Sequence, residues 1–138
     1  MVTNNIIDVE GIGEHYSKII VDAGINTTDD LLKTCHTPAD REALAEKTDI
    51  SAKMILEWAN RCDLMRINGV GEEYSDLLEA AGVDTIVELA QRNSENLFEA
   101  LTTKAEETGT RIVRRPPGKN EVEAWVEEAK TLPRMLEY

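Results

Sequence analysis

The stretch that decides the fold reads Gly11-Ile12-Gly13-Glu14-His15-Tyr16-Ser17, and it returns 58 residues later as Gly69-Val70-Gly71-Glu72-Glu73-Tyr74-Ser75. The match continues without a gap through residues 23–27 and 81–85. Self-similarity at a fixed offset is typical of one supersecondary unit that is used twice. We therefore expect two repeat units, at residues 1–66 and 67–138.

The second halves of the two copies also align, but copy two is longer. Trp58 matches Trp125 at an offset of 67 residues, so copy two carries an insertion of about ten residues at about 108–117. The insertion ends in two adjacent prolines. Together with the residues just after it, it contains a cluster of four cations, Arg111, Arg114, Arg115 and Lys119.

Apolar residues after each glycine pair recur at helical spacing, which predicts one buried helix face per copy. They are Tyr16, Ile19, Ile20 and Ala23 in copy one, and Tyr74, Leu77, Leu78 and Ala81 in copy two. Gly24 and Gly82 are placed to end these helices, and Thr27 and Thr85 to cap the next ones.

The later segments also show apolar residues at helical spacing. Trp58 and Trp125 lie on apolar helical stripes and are expected in the core. We expect Pro133 to end the last helix, and residues 111–114 to form an extended connector rather than a strand, because prolines follow. Strand signals are otherwise nearly absent, so the predicted fold class is all-α, with short helices packed into one globule.

The composition is strongly acidic, with 27 acidic and 15 basic residues and a net charge of −12. This balance opposes long-range attraction to nucleic acids and to anionic membranes.

The two cysteines, Cys35 and Cys62, have no paired spacing, so we expect free thiols. The N-terminal sequence lacks the features of a secretory signal, and no segment is long enough to span a bilayer, so a cytoplasmic location is expected.

The residues around the two glycine pairs follow one shared pattern. Residues 9–13 and 67–71 both read apolar, x, Gly, apolar, Gly, and each follows a short apolar pair, Ile6-Ile7 or Leu64-Met65. This pattern resembles the helix-hairpin-helix motif, in which the apolar pair would belong to the first helix. Glycines allow the tight turn, and free amides at the start of the second helix can bind a phosphate oxygen. Modules with this motif grip a DNA backbone without reading its sequence.

Residues 63–74, 88–93, 113–117 and 122–126 together resemble a narrower group. This is an uncharacterised bacterial and archaeal family of tandem helix-hairpin-helix proteins. The resemblance covers nearly the whole chain. It implies a compact all-helical fold and supplies no established activity.

The candidate contact residues are the two hairpins, Gly11, Ile12, Gly13, Gly69, Val70 and Gly71, and the basic cluster named above. The glycines are equally explained by a turn that packing requires. Carboxylates follow both hairpins and compete with an incoming phosphate for the positive end of the helix dipole. The basic cluster either supplies a phosphate surface or pairs with neighbouring glutamates.

These observations predict a non-catalytic binding module, foremost a protein-interaction or adaptor protein. The alternative is sequence-nonspecific binding of DNA or RNA through the backbone amides of the hairpins. The sequence shows no catalytic constellation and no metal-ligand set, so we expect no enzyme activity, cofactor or metal. We expect a protein partner and neither a membrane nor a small-molecule substrate.

Overall fold

A computed structural model describes residues 4–9 and 11–138, and it is helical. The only pairing of strand type in this part of the chain is an isolated bridge between Asn5 and Thr27. Short 3-10 helices lie at Ile6–Asp8 and Gly109–Arg111. The α-helices of the described residues are α1 (Glu14–Asp22), α2 (Thr28–Thr34), α3 (Pro38–Thr48), α4 (Ala52–Leu64), α5 (Glu72–Ala80), α6 (Ile86–Gln91), α7 (Ser94–Thr108) and α8 (Lys119–Ala129). The all-α prediction is confirmed for these residues.

The helix ends form as the repeat predicts. Gly24 and Gly82 have φ angles of +96° and +92°, and the residue after each glycine donates back to the last turn of its helix. Positive φ favours glycine, which closes a helix in this way. Thr27 accepts from the Asp30 amide at 3.0 Å, and Thr85 accepts from the Glu88 amide at 3.2 Å. Both caps are confirmed.

Three local predictions need correction. The helix α8 ends at Ala129, four residues before Pro133, so the proline does not terminate it. Residues 111–114 are not wholly extended, because Arg111 closes a 3-10 turn that continues α7. The two apolar pairs before the hairpins also differ: Ile6-Ile7 lies in a 3-10 turn, whereas Leu64 ends the long helix α4 and Met65 follows it.

The described residues divide into two compact units. One unit runs up to Asp63 and also includes Met135–Tyr138; the other is Leu64–Arg134. The sequence limits of 1–66 and 67–138 therefore stay a prediction from the repeat. Each unit has its own apolar core. In the N-terminal unit, Ile20, Leu31 and Ile55 are fully buried, and in the C-terminal unit Leu77, Leu89 and Val122 are.

The same aromatic pair packs in each unit. The rings of Tyr16 and Trp58 are 5.3 Å apart and tilted by 52°, and those of Tyr74 and Trp125 are 5.2 Å apart and tilted by 50°. Both tryptophans are buried, at 6% and 2% exposure. Their predicted role as core anchors is confirmed, and the tilted geometry is the one that aromatic quadrupoles favour.

The segment Met135–Tyr138 is bound within the N-terminal unit by one buried guanidinium and one imidazole. Arg41 donates to the Cys35 carbonyl at 2.9 Å and to the Glu137 carbonyl at 2.8 Å. His36 Nδ1 lies 2.7 Å from the Met135 carbonyl, and the Glu137 amide donates to the His36 carbonyl at 2.8 Å. These bonds satisfy buried polar groups that would otherwise be costly to desolvate.

Candidate functional site

The two glycine hairpins form the same turn. The Ile12 amide donates to the Val9 carbonyl at 3.1 Å, and the Val70 amide donates to the Ile67 carbonyl at the same distance. All four of these apolar residues are buried, at 1–3% exposure. The side chains of the predicted contact residues Ile12 and Val70 therefore hold the turn in the core and are not available to a ligand. Any contact must come from the backbone or from the flanking residues.

The last glycine of each hairpin differs between the copies. Gly13 has φ +85° and ψ 156°, a region that is essentially restricted to glycine. Gly71 has φ −91° and ψ −162°, which any residue can adopt. Gly13 and Gly71 both precede a helix and supply no side-chain cap. The first turns of α1 and α5 therefore begin without the capping bond that a serine or threonine would give.

Gly69 is the glycine that the turn of the second hairpin requires. Its φ is +85°, and a Cβ there would lie 3.4 Å from Nε1 of Trp125. The neighbouring Asn68 amide donates to Oε1 of Glu128 at 3.0 Å. The second hairpin thus lies beside α8, which places Trp125 near Gly69 and binds one of the amides of the turn through Glu128.

The insertion of copy two folds onto the start of α5. Arg114 donates from Nε and Nη2 to a single Glu73 oxygen, Oε2, at 3.0 and 2.8 Å, and its own amide donates to Oε1 at 2.8 Å. Tyr74 donates its hydroxyl to the Arg115 carbonyl at 3.0 Å. The Arg114 hydrogen bonds hold the pKa of the Glu73 carboxyl below its ordinary value. The insertion therefore engages two side chains of the first turn of α5, Glu73 and Tyr74.

The rest of the basic cluster is also engaged locally. Arg115 pairs with both carboxylate oxygens of Glu121, at 2.8 and 3.0 Å, and its hydrogen bonds lower the pKa of that carboxyl. Lys119 lies 3.9 Å from a Glu95 oxygen, and Arg111 donates from Nε to the Thr108 carbonyl at 3.1 Å. The structure thus places Arg114, Arg115 and Lys119 opposite acidic partners, the arrangement that competes with a phosphate surface.

The first hairpin lies beside an open groove of about 560 Å³. It is lined by Ile7, Val9, Gly13, Glu14, Ser17 and Lys18. Ile7 is 67% exposed, whereas its counterpart in copy two, Met65, is only 7% exposed. The volume falls within the range of about 300–1,000 Å³ that ligand-binding clefts occupy.

The exposure of Ile7 follows from how its turn is anchored. The Ile6 amide donates to the Asn26 carbonyl at 2.9 Å, and the Thr28 amide donates to the Asn4 carbonyl at 2.8 Å. The Asn4 amide donates in turn to the Thr28 hydroxyl at 3.0 Å. Because these bonds fix Ile6 in the core at 0% exposure, the next side chain of the turn points outward.

The two cysteine thiols are buried, and the possible metal-ligating side chains of the described residues do not cluster. Burial raises the pKa of the Cys35 and Cys62 thiols to about 12, which keeps them protonated and poorly nucleophilic. Among residues 4–9 and 11–138, no group of three or more histidine, cysteine, aspartate or glutamate side chains is placed to hold a metal ion. No helix within the same residues combines the length and the apolar character needed to cross a bilayer.

Sequence reasoning missed the residue that distinguishes the two glycine turns. Ile7 and Met65 precede their glycine pairs at the same offset, and nothing in either pair indicates which one is exposed.

Comparison with known proteins identifies a family. No curated protein and no solved structure shows significant similarity to the chain. A family model described as a domain of unknown function, DUF4332, matches residues 10–132. This match covers both hairpins, the insertion and α8. The chain belongs to the DUF4332 family.

Proposed function

We propose that this protein is a non-catalytic binding module of tandem helix-hairpin-helix type, and that it acts as an adaptor by binding another protein at its first hairpin. The observation that carries the proposal is the open groove beside Gly13, with Ile7 exposed at its edge. An apolar side chain fixed in this position gains free energy when a partner covers it. Such a surface suits a protein better than a phosphate backbone.

The charges support a protein partner over a nucleic acid. Arg114 and Arg115 point their guanidinium groups at Glu73 and Glu121 and would have to leave these carboxylates to bind phosphate. The net charge of −12 adds a long-range repulsion from nucleic acids. Binding of DNA or RNA through hairpin amides remains the alternative, and it predicts affinity that falls steeply with salt.

The absence of enzyme activity is part of the same proposal. The pKa shifts of Glu73 and Glu121 are explained by arginine partners at the surface, as in structural ion pairs. The buried thiols have pKa values far above those of nucleophilic cysteines. The titratable groups of the described residues thus give no support to a catalytic constellation.

The test is a paired binding experiment with three forms of the protein. Wild type, Ile7→Ser and Glu46→Gln are immobilised and used to capture cross-linked proteins from an extract, while labelled DNA and RNA are titrated against each form by fluorescence anisotropy. We expect a protein retained by wild type and Glu46→Gln but lost with Ile7→Ser, since Glu46 is an exposed residue of α3 that does not line the groove.

Saturable, salt-sensitive binding of nucleic acid that is unchanged by Ile7→Ser would contradict the proposal and favour the alternative. Loss of that binding in an Arg114→Ala/Arg115→Ala variant would then assign it to the basic cluster.

A further inference from the structure

We propose that the N-terminal unit contains a second protein-binding site, which the chain's own segment Met135–Tyr138 occupies in this structure and which a segment of another protein can take over. The competing segment carries a large aliphatic residue and, two positions later, an aromatic one. The site is built from His36, Arg41 and Asn60, and none of these residues lines the groove beside the first hairpin. The inference therefore goes beyond the proposed function and is independent of it.

Hydrogen bonds to its backbone hold the segment in place. Nδ1 of His36 lies 2.7 Å from the Met135 carbonyl, and the His36 carbonyl accepts from the Glu137 amide at 2.8 Å. Arg41 donates from Nη2 to the Glu137 carbonyl at 2.8 Å. Bonds to residues two positions apart are typical of an extended segment that is recognised through its main chain. Because every amino acid except proline supplies these backbone groups, the bonds do not depend on the sequence of the segment.

Two side chains of the segment give the site its selectivity. Leu136 is 2% exposed, so its aliphatic side chain fills a closed position. The Arg41 guanidinium carbon lies 5.9 Å from the centroid of the Tyr138 ring, and the Tyr138 hydroxyl donates to Oδ1 of Asn60 at 2.7 Å. Alternate residues of an extended segment point to the same side. A competing segment therefore needs an aliphatic and an aromatic side chain at the same spacing.

The guanidinium of Arg41 is oriented toward the segment by a bond within the unit. Its Nη1 donates to the Cys35 carbonyl at 2.9 Å, and the Cys35 amide donates to the Leu31 carbonyl of α2 at 2.9 Å. These bonds do not involve the segment, so they keep Nη2 directed at the position of the Glu137 carbonyl when one segment replaces another. A donor that is positioned in advance lowers the entropic cost of binding.

The segment has few features that would prevent its exchange. Residues 133–138 form no helix, and Leu136 is the one buried residue among positions 135–138. A segment with little buried apolar area opens locally at a low cost in free energy. Its covalent tether keeps it near the site at an effective concentration of about 1 mM, so a competitor must bind more tightly than the tethered segment.

A second copy of the chain is a poor competitor for this site. Its segment is identical and gains no contact over the tethered one, and its net charge of −12 repels the first copy. Another protein is free of both restrictions. Because Tyr138 is 57% exposed, a partner's aromatic side chain has room to make a closer contact than Tyr138 does.

The experiment titrates a fluorescent peptide with the sequence of residues 133–138 against the whole protein by anisotropy. Wild type is compared with Leu136→Asp, which releases the chain's own segment because a carboxylate is costly to bury at that position. Glu137→Ala is the matched control, since it changes an exposed side chain of the same segment and keeps the backbone groups that the site binds. A second peptide has its leucine replaced by aspartate.

We expect Leu136→Asp to bind the first peptide at least about tenfold more tightly than wild type does, since the tethered competitor is released. Glu137→Ala should stay within about twofold of wild type, because the exposed contact of Glu137 with His36 contributes little. The aspartate peptide should bind to none of these forms. Adding Arg41→Lys to Leu136→Asp should weaken binding several-fold, because lysine keeps the charge but lacks the fork that bonds two carbonyls at once.

Circular dichroism verifies that each variant is folded. If Leu136→Asp unfolds, NMR of wild type answers the same question. Excess peptide should then shift the amide signals of His36 and Glu137, and the aspartate peptide should not.

Any of three results overturns the inference. Folded Leu136→Asp that binds the peptide no more tightly than wild type, or a wild-type spectrum that excess peptide leaves unchanged, would show that the segment is a fixed part of the fold. Equal binding of the two peptides would remove the requirement for leucine. A wild-type dimer that forms as concentration rises and is lost in Leu136→Asp would replace the partner protein by a second copy. Ile7→Ser should alter none of these measurements, so the proposed function is tested separately.

Discussion

The first and second hairpins share a closing hydrogen bond and an aromatic pair, yet their flanking residues differ: Ile7 before the first is exposed, whereas Glu73 and Tyr74 after the second are bound by the insertion. Both turns close with a 3.1 Å hydrogen bond between equivalent residues. In copy two, however, Arg114 and the Arg115 carbonyl bind the start of α5, and Glu128 binds the Asn68 amide. The comparison teaches that the repeated sequence determines the closing hydrogen bond of each hairpin, whereas contacts from outside the hairpin determine which of its flanking groups are engaged.

The contacts after the second hairpin also explain the position of the basic insertion. Four cations beside a hairpin would suggest a nucleic-acid surface, but three of them face Glu73, Glu121 and Glu95. Exposed ion pairs contribute little to stability individually. Their effect here is to position the insertion over α5, since Arg114 and Arg115 bind groups on two different helices.

The largest expected difference between the two copies is the loss of stability when the equivalent residues Ile7 and Met65 are each replaced by alanine. Met65→Ala should lower the free energy of unfolding by about 2–5 kcal/mol, because it leaves a cavity at a buried site. Ile7→Ala should change it by less than about 0.5 kcal/mol, because Ile7 is two-thirds exposed. Urea denaturation followed by circular dichroism measures both. Equal losses would show that Ile7 is covered in solution and would remove the asymmetry.

A smaller effect is expected at the last glycine of each hairpin. Gly13→Ala should cost about 1–3 kcal/mol, because φ +85° with ψ 156° is strained for any side chain. Gly71→Ala should be neutral or stabilising by up to about 1 kcal/mol, since its φ of −91° is ordinary and the added Cβ meets no atom within 4 Å. Thermal unfolding of the two variants side by side is the measurement. A destabilised Gly71→Ala would contradict the backbone geometry described above.

The smallest expected effect concerns the ion pair in the first turn of α5, just after the second hairpin. The pKa of Glu73 is lowered in the folded protein, so the pair stabilises the fold above the ordinary pKa of a glutamate and loses that contribution as pH falls through the lowered value. Glu73→Gln should therefore reduce stability slightly at pH 7 and not at all in strong acid.

An NMR titration of the Glu73 carboxyl sharpens this result. Arg114→Ala removes the guanidinium but keeps the backbone amide that donates at 2.8 Å, so it should restore only part of the ordinary pKa. A Glu73 pKa that does not move in Arg114→Ala would show that the pair does not persist in solution.

The features that sequence predicted well are those determined by neighbouring residues. The helix caps at Thr27 and Thr85 and the helix stop at Gly24 depend on bonds within about five positions, and all three are present. The aromatic anchors follow from helical spacing. Such local patterns are read directly from the chain.

The missed features depend on contacts between distant segments. The outward position of Ile7 results from bonds of residues 4–6 to the start of α2, and the engagement of Arg114 results from a residue 41 positions away. The binding of Met135 by His36 spans 99 positions. No periodicity or cap signal encodes such pairings, so the state of the candidate site could not be read from the repeat alone.

The position of residues 135–138 has a consequence for how the chain is assembled during translation. These residues pack in the N-terminal unit, yet the ribosome delivers them only after the entire C-terminal unit has been made. Until then Arg41 lacks the Glu137 carbonyl and Leu136 cannot occupy its buried site. The half of the protein that emerges first is thus the half that is completed last, and closing it requires a loop that contains the other half.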